Sequence, residues 1–237
     1  MNQVVFEDLG FQPYKQVWDY QETLLKNNTD LKFEARKANT IADTTNHLLF
    51  VEHPPVYTLG KSGSEDNVLM SKEAMMWNGI EFYHINRGGD ITFHGPEQLV
   101  GYPILDLDKF KTDLGWYLRS LEDVMILTMA EYGLVGDRSP GETGVWIDPG
   151  TPGKERKICA MGIKCSRWVT MHGFALNVNT DLGYFNNIIP CGIQNKQVTS
   201  LQKELGRHIP MNEVKTKLRA NFEKVFSCQL VYASVTS

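Results

Sequence analysis

Arg87-Gly88-Gly89-Asp90-Ile91-Thr92-Phe93-His94-Gly95-Pro96 follows an apolar-alternating run, Ile80-Glu81-Phe82-Tyr83-His84-Ile85. A strand running into two adjacent glycines predicts a tight turn with bare backbone, because glycine takes positive φ and lets a ligand approach the main chain. Arg87 adds a planar cationic fork beside those amides, suited to a carbonyl, carboxylate or phosphate. His94 then precedes Gly95-Pro96, a second enforced turn. A plain glycine hairpin with an exposed arginine also fits these residues. The crowding of an arginine, a histidine and two glycine turns favours a binding site.

Around this stretch, 237 residues, 42% hydrophobic and 22% charged, suffice for one large cored domain spanning 1–237. A net charge of −4 argues against a nucleic-acid partner. It leaves room for a local basic patch, formed by Lys154, Arg156, Lys157, Lys164 and Arg167. No apolar run reaches the length of a membrane span, and Met1 to Asp8 lacks the pattern of a signal peptide. A cytoplasmic protein without a membrane partner is therefore expected. Cys159, Cys165, Cys191 and Cys228 form no CxxC pair and no zinc-ligand spacing, so thiols are expected and no metal site.

Val4 to Phe6 begins a strand, and Pro13 opens a helix whose apolar face carries Tyr14, Val17, Trp18, Gln21, Leu24 and Leu25. Asn27 to Asp30 weakens that helix, leaving Lys32 to Asn39 exposed. Strands follow at Leu48–Val51, Val56–Lys61 and Gln98–Leu105, with a short helix at Ser71–Trp77 between the last two. Asp113 caps a long helix that ends by Gly133. Val145–Ile147 is a strand, and Lys157–Ile163 and Val169–Val178 make a hairpin. Asn212 opens a last amphipathic helix, and Gln229–Tyr232 closes the chain as a strand. This order is no regular βαβ alternation, so an α+β fold with a mixed or antiparallel sheet carrying helices is favoured.

Two further residues invite chemistry. Cys191 sits in Pro190-Cys191-Gly192, a constrained bend that can present a thiolate to a cleft; a buried cysteine at a turn is the bland alternative. Lys157 lies in the apolar run Ile158-Cys159-Ala160-Met161 and either faces solvent by alternation or is partly buried and able to act as a base. His53, His94 and His172 are equal candidates for that base.

The run Arg87 to Gln98 with Tyr102-Pro103-Ile104 resembles the signature of the octanoyltransferases of lipoate biosynthesis. Lys157-Ile158-Cys159-Ala160-Met161-Gly162, His172-Gly173-Phe174-Ala175-Leu176-Asn177, Pro190-Cys191-Gly192-Ile193 and Thr199-Ser200-Leu201 continue the likeness in order, from about Leu48 to Leu201. The resemblance implies a biotin/lipoate protein ligase-like catalytic fold: a mixed, mostly antiparallel sheet flanked by helices, a small second sheet packed on it, and an acyl tunnel between them. It implies an acyltransferase without a cofactor, taking an octanoyl or lipoyl group from acyl carrier protein. The group passes through a Cys191 thioester to a lysine on lipoyl domains of 2-oxo-acid dehydrogenase complexes or on the glycine-cleavage H protein. Lys157 would lower the thiol pKa and later deprotonate the acceptor amine. The acyl pocket would be formed by Arg87, Gly88, Gly89, Asp90, Ile91, Thr92, Phe93 and His94, by Ala160, Met161 and Gly162, and by Gly173, Phe174 and Ala175. Amides of Gly162 or of the glycine turn would be available to an oxyanion. Glu97 departs from the pattern, which commonly has glycine there, and puts a carboxylate near the expected pocket entrance. The alternatives are an ATP-dependent lipoate or biotin protein ligase, which needs no catalytic cysteine, and a non-catalytic module binding lipoyl domains or acyl carrier protein.

Overall fold

Twelve strands and five α-helices are assigned among the residues that the computed structural model describes, 1–189 and 197–233. In chain order they are β1 (Asn2–Phe11), α1 (Tyr14–Ala38), β2 (Asn46–Glu52), β3 (Val56–Leu59), α2 (Lys72–Trp77), β4 (Glu81–His84), β5 (Ile91–His94) and β6 (Gln98–Ile104). There follow α3 (Leu114–Ala130), β7 (Gly136–Asp137), β8 (Val145–Ile147), β9 (Arg156–Ser166), β10 (Val169–Asn177), β11 (Gln197–Val198), α4 (Leu201–Leu205), α5 (Met211–Phe226) and β12 (Cys228–Tyr232).

The large sheet runs β12-β1-β2-β6-β10-β9-β8-β7, with β11 added along β9. β1 is parallel to both β12 and β2, and β11 is parallel to β9; the remaining pairs of this sheet are antiparallel. A three-stranded sheet, β4-β3-β5, packs beside it. The mixed, mostly antiparallel architecture with a small second sheet is thus the observed one.

Side-chain alternation explains the layers. Leu48, Phe50, Leu99, Phe174 and Leu176 pack with α3 and α5 in one core, while Leu49, Val51, Val100, Tyr102 and Ala175 pack with Val17 and Leu25 of α1 in another. A period of two sends neighbouring residues to opposite sheet faces, so both faces of the central strands are covered. The Asp113 side chain accepts from Trp116 N–H at 2.9 Å, which satisfies an orphan donor at the start of α3. Among the described residues no helix is long and apolar enough to cross a membrane.

Two sequence expectations change. α1 does not weaken at Asn27–Asp30 but continues to Ala38. The reason is Asn28, which is buried and clamps residue 45 from both sides: its Nδ2 donates to Thr45 O at 2.7 Å and its Oδ1 accepts from Thr45 N–H at 3.0 Å. The basic cluster is also not one patch. Arg156 and Arg167 flank the extended strand β9 and stand ~36 Å apart along it at a strand's rise per residue. Arg156 is paired with Glu204 and Asp148, and Lys164 with Glu22.

Candidate active site

A cavity with about 800 Å³ of atom-free space, part of it open to solvent, lies on the α1 side of the large sheet where the small sheet meets it. β9 and β10 form its floor, β5 and the glycine turn one wall, and Tyr14 of α1 another. The turn reaches β9 because no side chain stands between them. Gly88 N–H donates to Ile163 O at 2.9 Å, and a Cβ on Gly162 would lie 2.8 Å from Gly88 O. Gly162 is in register with Gly173 of β10, where a Cβ would instead lie 2.3 Å from Gly101 O of β6. The Gly88 amide is consequently committed to β9 and is not offered to an oxyanion.

Arg87 is buried rather than exposed. Its Nη2 donates to Thr58 O at 2.7 Å and Thr58 Oγ1 at 3.0 Å, and its Nη1 to Gly88 O at 3.0 Å. The guanidinium thereby ties β3 to the turn as well as lining the cavity. Asp90 is likewise held, accepting from Ile91 N–H and the Asn67 amide.

Lys157, expected either at the surface or partly buried, lines the cavity with a side chain 15% exposed. Its Nζ lies 4.0 Å from Glu142 Oε2 and 4.6 Å over the centre of the Trp146 ring. Cys191, with the rest of its bend, lies outside the described residues. Both flanks of that segment are at the cavity: Phe185 and Val198 line it. β11 runs alongside β9 with Val198 opposite Lys157, and Thr199 N–H donates to Lys157 O at 2.9 Å.

The three histidines are buried and fixed as neutral rings. His53 donates from Nδ1 to Gln12 O at 2.8 Å, so its Nε2 accepts from the Tyr102 hydroxyl at 2.8 Å. Gln98 donates its amide to Phe93 O and Asn177 Oδ1, which turns its oxygen to His94 Nδ1 at 2.9 Å and leaves His94 Nε2 as the ring's acceptor. Asn86 donates to Glu22, so its oxygen accepts from His172 Nε2 at 2.9 Å. Burial is the main cause that holds His53 at about 4 and, with the Arg87 charge acting in the same direction, His94 and His172 at about 3. Such rings are poor bases near neutrality. Cys159 is no rival thiol either, since complete burial pushes it far above the usual cysteine range.

Of the pocket residues expected from sequence, Arg87, Gly89, Asp90, Ile91, Thr92, His94, Ala160, Met161, Gly162, Gly173, Phe174 and Ala175 line this one cavity together with Lys157. Gly88 does not, being pressed against β9, and neither does Phe93. Its ring turns to the other face of the small sheet and stacks on Tyr184, centroids 4.5 Å apart. Glu97 is also outside the lining; it takes a φ of +59°, the conformation for which glycine is suited, and its carboxylate meets His208 at 3.2 Å. Tyr14, Gln98, Val100, Tyr102, His172 and Asn177 line the cavity as well. All but Tyr14 and Val100 stand within the quoted motifs. Tyr14 reads as a core helix residue, and no local spacing marks it otherwise.

The lipoyl protein ligase A/B catalytic domain family has a sequence model that matches residues 13–223. An octanoyltransferase of Christiangramia forsetii is 59% identical over 97% of this chain and 98% of its own length. One of Flavobacterium psychrophilum is 56% identical over 98% and 100%. Among solved structures, a bi-partite lipoate protein ligase of Thermoplasma acidophilum superposes with a TM-score of 0.71 at 16% identity, over 100% of this chain and 89% of that one. Lipoate-protein ligase A bound with ATP gives 0.70 at 15%, over 100% and 90%. These two carry the fold alone. The chain belongs to the lipoyl protein ligase A/B catalytic domain family. Within that family it is an acyltransferase of the octanoyltransferase group, as the relatives identical at more than half of their positions indicate.

Proposed function

We propose that the chain acts over 1–237 as one catalytic domain, in the cytoplasm, and moves an octanoyl or lipoyl group from acyl carrier protein to a lysine of a lipoyl domain through a thioester on Cys191. The observation that carries this reading is Lys157, which lines a largely apolar cavity from a strand hydrogen-bonded to residues 197–199. In the first half-reaction the Cys191 thiolate attacks the thioester carbonyl. The new C–S bond forms, the carrier thiolate leaves, and Lys157 returns a proton to it. Neutral Lys157 then takes a proton from the acceptor amine, which attacks the acyl-enzyme; an amide forms and Cys191 leaves as thiolate. Acceptors of this chemistry include lipoyl domains of 2-oxo-acid dehydrogenase complexes and the glycine-cleavage H protein. Thioester exchange is nearly balanced and amide formation runs downhill, so no ATP is needed.

The test is transfer from octanoyl-acyl carrier protein to a lipoyl domain without ATP or magnesium, followed by intact mass. An octanoyl increment on the acceptor lysine, and a hydroxylamine-labile one on the enzyme in its absence, are expected. Product only from free octanoate plus ATP would make the chain a ligase.

A further inference from the structure

Asn67 lies outside the sequence motifs and outside the cavity lining, yet it touches both the glycine turn and the segment that precedes Cys191. Its Nδ2 donates to Asp90 Oδ2 at 2.5 Å, while Asp90 Oδ1 accepts from Ile91 N–H at 2.7 Å. The carboxylate has room there because Gly63 is bare: a Cβ on Gly63 would stand 2.4 Å from Asp90 Oδ1. The main-chain carbonyl of the same asparagine accepts from Ile189 N–H at 2.8 Å. Two residues on, Leu69 N–H donates to Asn187 O at 2.9 Å, and Val68 between them is bridged antiparallel to Ile188. The tight turn Glu65–Asn67 fixes this rung, with Asn67 N–H on Ser64 O at 3.0 Å and Val68 N–H on Glu65 O at 2.9 Å.

Residues 187–189 are thus held by this rung and by the small sheet. Ile188 is buried in one cluster with Tyr57, Ile91 and Phe93, and Tyr57 donates its hydroxyl to Tyr184 O at 2.7 Å. Cys191 follows Ile189 by two residues, so no more than ~7 Å of extended chain separates their Cα atoms. On its other side the first paired residue, Gln197, is six residues away, or up to ~20 Å of chain. The rung at Asn67 is therefore the shorter tether on Cys191. Asp90 belongs to the wall of the cavity. One side chain accordingly joins that wall to the tether.

We propose that Asn67 is a positioning residue for acyl transfer, its amide holding the segment before Cys191 in register with the Asp90 wall of the cavity. This rests on the acyl-transfer reading above, with Cys191 as nucleophile. Asn67 acts through geometry alone. Reacting atoms must meet at about 3–3.5 Å, and a displacement of about 1 Å costs on the order of a hundredfold in rate.

The experiment measures single-turnover acylation from octanoyl-acyl carrier protein beside alkylation of Cys191 by iodoacetamide, which needs no acyl cavity; both are read by peptide mass. Asn67→Ala and Asn67→Asp should acylate about ten- to a hundredfold more slowly, while iodoacetamide modifies Cys191 at the wild-type rate. The exchange variant Asn67→Asp/Asp90→Asn restores the pair with donor and acceptor reversed, the new amide oxygen still accepting from Ile91 N–H. It should acylate faster than either of its single variants, a coupling that a merely structural role at residue 67 does not produce. Wild-type acylation by Asn67→Ala, an equal fall in acylation and alkylation, or an exchange variant no faster than its singles would each overturn the proposal. An octanoyl increment that persists in Cys191→Ser would instead sink the acyl-transfer reading, and this proposal with it.

Discussion

Val198 lies opposite Lys157 in parallel register, and the next amide, Thr199 N–H, donates to the Lys157 carbonyl. The chain leaving the Cys191 segment is therefore stitched to the strand that presents the lysine. Asn177 adds a second tie, donating to Thr199 O at 3.0 Å while its own oxygen accepts from Gln98, which orients His94. Residues 197–199, the strand that carries the lysine and the cavity wall thus form one hydrogen-bonded unit.

Lys157→Ala and Lys157→Arg are both expected to slow octanoyl transfer by about a hundredfold or more. Arginine keeps the charge near Glu142 and Trp146 but cannot give up a proton near neutrality. Single-turnover deacylation onto a lipoyl domain checks the second half-reaction directly. Near-normal deacylation by the arginine variant would reduce Lys157 to an electrostatic role.

Cys191→Ser should abolish the acyl-enzyme, because an alkoxide is far harder to generate than a thiolate. Cys159→Ala should still acylate, since that thiol points into the core and burial disfavours its thiolate. Peptide mapping of the octanoyl increment distinguishes them. An increment on Cys159 would move the nucleophile.

The parts of this design that are local in sequence were legible, and those made by distant pairing were not. The Arg87-Gly88-Gly89 turn, the Asp113 cap and the β9–β10 hairpin each follow from adjacent residue types. The extension of α1 depends on Asn28 meeting a segment seventeen residues further on, which no periodicity reveals. Arg87 looked like a ligand fork and proved partly a brace, because Thr58 comes to it only through the β3–β5 sheet. Phe93 was assigned to the pocket with its neighbours, whereas strand alternation within β5 sends its ring to the opposite face from His94.

Glu97→Gly should leave the fold slightly more stable. The left-handed φ at residue 97 costs roughly 1–2 kcal/mol, and glycine's extra unfolded-state freedom returns only part of that. The lost contact with His208 is exposed and contributes little. A Tm rise of about 1–3 °C is expected, with Glu97→Val lowering Tm instead. A fall in Tm for the glycine variant would show that the carboxylate holds this turn. Chain-length preference should not move, because Glu97 is not part of the cavity lining.

Acid should destabilise the protein earlier than its carboxylates alone would require. His53, His94 and His172 titrate near 6.5 when unfolded but at about 4, 3 and 3 when folded. Between those values the unfolded chain binds more protons, so stability rises with pH there. The stability from keeping these rings neutral is complete above pH 6.5 and is lost progressively as pH falls toward 3. Each ring contributes about 1.4 kcal/mol per pH unit once well below 6.5, so three together approach roughly 4 kcal/mol per unit. Against a total stability of about 5–15 kcal/mol, that slope predicts a steep loss between pH 6 and 4. Urea midpoints measured from pH 8 to 4.5 check it: a plateau above about 6.5 and a fall below are expected. His53→Gln, which removes one depressed ring outside the cavity lining, should make the fall shallower by about a third. A midpoint unchanged between pH 7 and 5 would mean that these rings are not held neutral by burial.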